Sequence, residues 1–155
     1  RIEPYDITWF EEPVFSNDVR LLAELRRQTR IPIAAGQHEG HRYRHRELIL
    51  AGAVDVVQPN VTNVGGYTEA VKVAHMAQAF NLPIGNGGGW PHHNAHLIAA
   101  VPNGWMVEYH IQMWLIGEAI YQNPYRPVGG TVTLPDAPGL GLEPKEEVLR
   151  EFLEP

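Results

Sequence analysis

IPIAAGQHEG HRYRHRELIL AGAVDVVQPN, residues 31–60, decides how the rest of the chain is read. An apolar run, Ile31 to Ala35, stops at Gly36, and a polar tip follows, Gln37-His38-Glu39-Gly40-His41. Arg42 to Ala51 has helical character, with Leu48 and Ile49 turned inward and Gly52 as its cap. A second apolar run starts at Val54 and ends at Gln58-Pro59-Asn60. Strand, loop, helix and strand in so short a span make a βαβ unit, which requires parallel strands. Polar side chains stand just past the C-terminal ends of both strands, the edge where parallel α/β folds place chemistry.

The same alternation extends both ways. Upstream, Asp6 to Phe10 reads as a strand ending in Glu11-Glu12-Pro13, because proline has no N–H to give the ladder. Ser16-Asn17-Asp18 offers helix caps, and Leu21, Leu22 and Leu25 follow at helical spacing. Downstream, Thr68 to Phe80 is a helix whose inner face is Ala70, Val71, Ala74, Ala77 and Phe80. Leu82 to Ile84 is a strand leading into a glycine-rich loop that carries Trp90, His92 and His93. Asn94 to Val101 is a helix and Trp105 to Tyr109 a fifth strand. His41 and His45 are read as surface groups, His75 and His96 as packed or interface ones.

Strands recur roughly every 25 residues, about one βα unit each. The fold class is therefore α/β, part of a modified (β/α) TIM-type barrel with five βα strands. A complete eight-unit barrel takes ~250 residues, so 155 residues are expected to be one part of it, with the first units elsewhere. Residues 1–121 are assigned to the partial barrel. Residues 122–155 are assigned to a strap that would pack on an additional capping domain. In it Thr131 to Leu134 reads as a strand, Pro135 to Gly141 as a rigid turn and Glu146 to Leu153 as a helix.

Composition narrows the classes of function. Net charge is −6 and no Lys/Arg-rich run occurs, so nucleic acid is not an expected partner. No apolar run approaches ~20 residues, which excludes a helical membrane span from the expectation. Cysteine is absent, which removes disulfides and thiolate metal sites and fits a cytoplasmic protein. Lysine is confined to Lys72 and Lys145, whereas histidine occurs eight times.

Six segments in order carry a resemblance: Trp9 to Pro13, Ile33 to Gly36, Arg42 to Ile49, Asp55 to Gly66, Ala95 to Ala100 and Pro135 to Gly141. Together they resemble the C-terminal half of an enolase-superfamily protein of the mandelate racemase and muconate lactonizing enzyme group. The resemblance implies a capping domain, a modified barrel with one divalent metal, usually Mg²⁺, and abstraction of a proton α to a carboxylate.

Carried over by position, the resemblance puts Glu11 on a metal-ligand carboxylate and Gln37 where a third ligand, a Glu, is usual. Gln keeps a carbonyl oxygen but removes one negative charge. Asn60 falls on the Asp of a His–Asp dyad, and its His is replaced by Gly85-Asn86-Gly87-Gly88-Gly89. Neither lysine fits the position of the family's base. His38, His92 and His93 are then the expected proton carriers, since imidazole titrates near neutrality. Asn60 joins them as a candidate catalytic group, and Asn86, Trp90 and Glu108 as substrate contacts. Glu12 is expected to support a neighbour or to form an ion pair.

The expected whole is a metal-dependent dehydratase or isomerase of a hydroxy acid, most simply an acid sugar. Its substrate would be a small carboxylate, and its missing barrel half would come from more chain or from a second chain. Homo-oligomerisation is expected, because a partial barrel leaves edge strands open. The 155 residues alone are not expected to be competent. The altered positions leave a second reading open, a non-catalytic relative that binds a small acid or sugar.

Overall fold

The computed structural model describes residues 1–153. Five parallel strands form one sheet in the order β1-β2-β3-β4-β5: Phe10–Glu11, Ile33–Ala35, Val56–Val57, Ile84–Gly85 and Gly104–Met106. Strand order equals chain order, so each strand lies beside its predecessor, as in a barrel wall. Pairing runs Phe10 to Ile33, Ala34 to Val56, Val57 to Ile84 and Ile84 to Gly104. The sheet curls strongly. Trp9, before β1, meets Trp105 of β5 edge to face, with ring centroids 5.4 Å apart.

Helices fill the crossovers: α1 Val19–Gln28, α2 His41–Leu50, α3 Tyr67–Ala79 and α4 Pro91–Ala100. Asp18 caps α1, accepting from the N–H groups of Arg20 and Leu21 at 2.9 and 3.1 Å. Leu22, Leu48, Val73 and Leu97 pack from these helices onto Ile33, Val57 and Ile84 of the sheet, a fully buried core. The near-continuous apolar strands fit a parallel sheet covered by helices. Asp55 fastens two elements to the start of β3, accepting from the Ile33 N–H at 2.9 Å and from Arg26 of α1 at 2.7 Å.

Several expectations are corrected. Strands are shorter than read, because only the segment facing a neighbour is laddered. Leu21 and Phe80 are about half exposed rather than inward. His45 is fully buried, not on the surface, because its ring lies against Gly36 at the end of β2, where a Cβ would stand 3.1 Å from its Nε2. The α4 helix starts at Pro91, so His92 and His93 belong to its first turn rather than to the glycine-rich loop. A further helix, α5 Ile111–Ile120, follows β5. Thr131 to Leu134 is not a strand; Thr131 makes only an isolated bridge to Val128.

The tail folds back on α4 and α5. The Tyr125 hydroxyl donates to the His92 carbonyl, and Gln122 N–H donates to Glu143 at 2.8 Å. Helix α6, Glu146–Glu151, packs on α5. Among the described residues no helix is long and apolar enough to cross a membrane.

Candidate active site at the strand ends

Glu11 closes β1, and Glu12 follows in a left-handed conformation, φ +41°, that turns the chain out before Pro13. The Glu11 carboxylate accepts through Oε2 from Gln58 Nε2 at 3.1 Å and from the Trp9 indole at 3.4 Å. Its other oxygen has no hydrogen bond among the described residues.

Glu12 gathers the next strand's loop. Its Oε2 accepts from Gln37 Nε2 at 2.9 Å and lies 3.8 Å from His38 Nε2. Its Oε1 accepts from Asn17 Nδ2 at 2.8 Å. The Glu12 side chain is only 18% exposed, whereas His38 is 72% exposed. Asn17 also donates to Glu39, which pairs with Arg44 of α2 at 3.1 Å.

Beyond β4 the chain turns through Gly88, Gly89 and Trp90, all at positive φ. Gly87 lies so close to its neighbours that a Cβ there would stand 2.9 Å from Gln37 Cβ and 3.2 Å from Gln58 Nε2. Only glycine allows that approach. Asn86 Oδ1 accepts from the Glu108 N–H at 2.9 Å and its Nδ2 donates to Gly89 O at 3.1 Å. Glu108 returns the bond, accepting from the Gly89 N–H at 2.8 Å.

Asn60 and Asn94 complete this network. Asn60 Nδ2 donates to Gly87 O at 2.7 Å, while its Oδ1 accepts from Thr62 and from Asn94 Nδ2. Asn60 is buried, and both ends of its amide are engaged by the protein. Its observed surroundings tie the β3 loop to the β4 loop.

Two hollows flank the sheet. One of about 90 Å³ is bounded by Trp9, Glu11, Gln58, Asn86, Trp105 and Glu108 at the C-terminal strand ends. A larger one of about 730 Å³ lies at the N-terminal ends, lined by Pro32, Pro83 and Trp105 among others. The chemistry-bearing side chains surround the small one, on the edge where barrel enzymes work.

The structure brings Glu11, Asn86 and Glu108 to this hollow, with Gln37 packed against Gly87; His38 lines a separate hollow with Glu12, Asn17 and Arg44. It does not bring His92 or His93 there. The His92 ring is 2% exposed and sits edge-on to Tyr109, Tyr121 and Tyr125, with centroids 5.1–6.1 Å away. Burial pushes the pKa of His92 below the usual imidazole value, helped by neighbouring His93; burial lowers His93 as well. Trp90 starts α4 and packs edge-on against His93 at 5.8 Å.

Sequence reasoning missed Gln58, Asn17 and Asn94. Gln58 had a signal, being the last polar residue of a strand end. Asn94 had none, because Asn60 and Val61, which it ties to α4, are more than 30 residues away.

Whether a divalent cation suits this edge is a question of donors. Hard cations take oxygen. The residues fit: Glu11 has a carboxylate oxygen free, and Gln37, bonded through Nε2, leaves its carbonyl oxygen as an acceptor. Among the described residues no three His, Asp or Glu groups converge to hold a metal, so any remaining ligands would come from outside them.

The chain is similar to known proteins over nearly its whole length. The family described as enolase C-terminal domain-like matches residues 1–148. D-galactarolactone cycloisomerase of Agrobacterium fabrum is 32% identical, over 100% of this chain and 44% of its own length. Arabinonate dehydratase of Saccharolobus solfataricus is 30% identical, over 98% and 42%. The chain thus spans less than half the length of these relatives. Among solved structures, L-talarate dehydratase from Polaromonas sp. JS666, complexed with Mg and L-glucarate, superposes with a TM-score of 0.86 at 30% identity, covering 96% of this chain and 40% of that one. An enolase from Bradyrhizobium, complexed with magnesium and mandelic acid, gives 0.86 at 33% identity, covering 96% and 39%.

Proposed function

This chain belongs to the enolase C-terminal domain-like family, and from that premise we propose that it forms one side of the active site of an acid-sugar dehydratase. The observation that carries the reading is the convergence of Glu11, Asn86 and Glu108 on one hollow at the C-terminal strand ends. The five-stranded sheet is open, so the working site is completed by further βα units and a capping domain, on the same chain or a partner. Residues 122–155 act as the strap toward that domain.

Dehydration removes a proton α to the carboxylate and a hydroxyl from the next carbon, and the resulting enol becomes a 2-keto acid. Glu11 and the Gln37 carbonyl would hold a divalent ion, Mg²⁺ in the nearest analogy. When bound, such an ion stabilises negative charge on the substrate carboxylate. His38 gives the leaving hydroxyl its proton; its side chain is exposed, with Nε2 3.8 Å from Glu12 Oε2. Asn86 and Glu108 orient substrate hydroxyls, while the glycine-rich loop admits the substrate close to the backbone. Trp90 and His93 pack on each other at the start of α4, next to that loop. Asn60 and His92 act through packing, holding the loop and α4.

The test is incubation of the intact protein carrying this chain with a panel of acid sugars in D₂O with Mg²⁺. Enzymatic α-deuterium exchange with 2-keto acid formation is the expected result. No exchange and no keto acid with any of them would leave the non-catalytic reading in its place.

A further inference from the structure

Gln37 presents a problem that the structure answers. A carboxamide has a donor end and an acceptor end, and only the oxygen can meet a cation. Relative to a carboxylate it also subtracts one negative charge. Both deficits are met by one neighbour. The Glu12 carboxylate accepts from Gln37 Nε2 at 2.9 Å. Turning the amide over would set two oxygens face to face, so the charge-assisted bond fixes which end faces away from Glu12.

Glu12 is in turn immobilised. Its second oxygen is held by Asn17 Nδ2 at 2.8 Å, and Asn17 is 5% exposed. Its backbone is pinned to β2 through the Glu12 N–H to Ala34 O bond at 2.9 Å. The carboxylate is mostly buried, so solvent and salt screen its charge only weakly.

We infer that Glu12 is a positioning residue for divalent-cation binding: it turns the Gln37 amide oxygen away from itself, toward Gly87 and Gly88, and supplies, one hydrogen bond away, the negative charge that Gln37 lacks. This rests on the dehydratase reading of the site. It adds that the charge of the third ligand has moved to the preceding strand's loop rather than been lost.

The test uses the intact protein carrying this chain and Mn²⁺ as probe, with affinity read by electron paramagnetic resonance and folding by circular dichroism. Glu12→Gln is expected to weaken Mn²⁺ binding about 10- to 100-fold, as loss of a group supporting a ligand does. The double variant Glu12→Gln/Gln37→Glu returns the charge and a donor–acceptor pair to the same two positions, and is expected to restore binding. Equal Mn²⁺ affinity in Glu12→Gln overturns the inference alone. So does a double variant as weak as the single one, since Glu12 is then only structural. An unsubstituted protein that binds no Mn²⁺ overturns the dehydratase reading and this inference with it.

Discussion

Asn94, on the first turn of α4, donates to Asn60, beyond β3, across 3.0 Å. The same amide accepts from the Val61 N–H at 3.0 Å and donates to Gly89 O at 2.9 Å. One buried side chain therefore satisfies two loops at once. Asn94→Ala is expected to destabilise the fold by roughly 1–3 kcal/mol, the cost of leaving buried backbone groups unpaired. Urea denaturation of the variant measures it, and an unchanged midpoint would contradict the assigned role.

Acid should weaken the fold through histidines. His45, His92 and His93 all have pKa values lowered by burial. A group whose folded pKa lies below its unfolded value of about 6.5 binds more protons when unfolded. Their contribution is complete above that value and is lost as pH falls through it toward the folded pKa. Each imidazole that protonates only on unfolding adds up to about 1.4 kcal/mol per pH unit to the slope. Denaturation curves from pH 8 to pH 5 read the effect, and His45→Gln is expected to flatten part of it.

Gly104, at the start of β5, has no room for a side chain. A Cβ would overlap the carbonyl oxygen of Ile98 on α4, and backbone cannot step aside as a flexible side chain can. Gly104→Ala is expected to cost at least the ~1–3 kcal/mol of ordinary overpacking, with β5 and the α4 contact affected first. Hydrogen exchange at Trp105 and Met106 would locate the loosening.

His38→Asn tests proton delivery. It keeps a polar side chain beside Glu12 but removes the titrating ring. Under the dehydratase reading kcat is expected to fall by about 10²- to 10⁴-fold, with Mn²⁺ affinity unaltered. A variant with full kcat would remove His38 from the mechanism.

Much of the architecture was legible because periodicity and breakers agreed. The Ile33–Ala35 strand, the α2 helix and the Val56–Val57 strand follow from apolar runs ended by Gly36, Gly52 and Pro59. Helix α5 was invisible for the opposite reason. Ile111 to Ile120 is apolar almost all round, so no polar stripe marks its turn. The start of α4 could have been read, since Pro91 suits a first helical position. The buried state of His45 could not, because it depends on how α2 seats against the end of β2. In the site, single strand-end residues such as Glu11 and Glu108 were legible from position alone. The links Gln58 to Glu11 and Asn94 to Asn60 bridge 47 and 34 residues, and local pattern carries no trace of such pairings.

The tight seat of Gly87 on Gln37 makes those two positions a coupled lock. A Cβ at residue 87 meets both Gln37 and Gln58, so no side chain can simply be written in there. Residue 37 must first shrink or swing away, and that motion breaks its bond to Glu12. Substitutions at the two positions are thus not independent: a side chain gained at 87 needs a change at 37 as well. An engineer would have to replace Gly87 together with its neighbours.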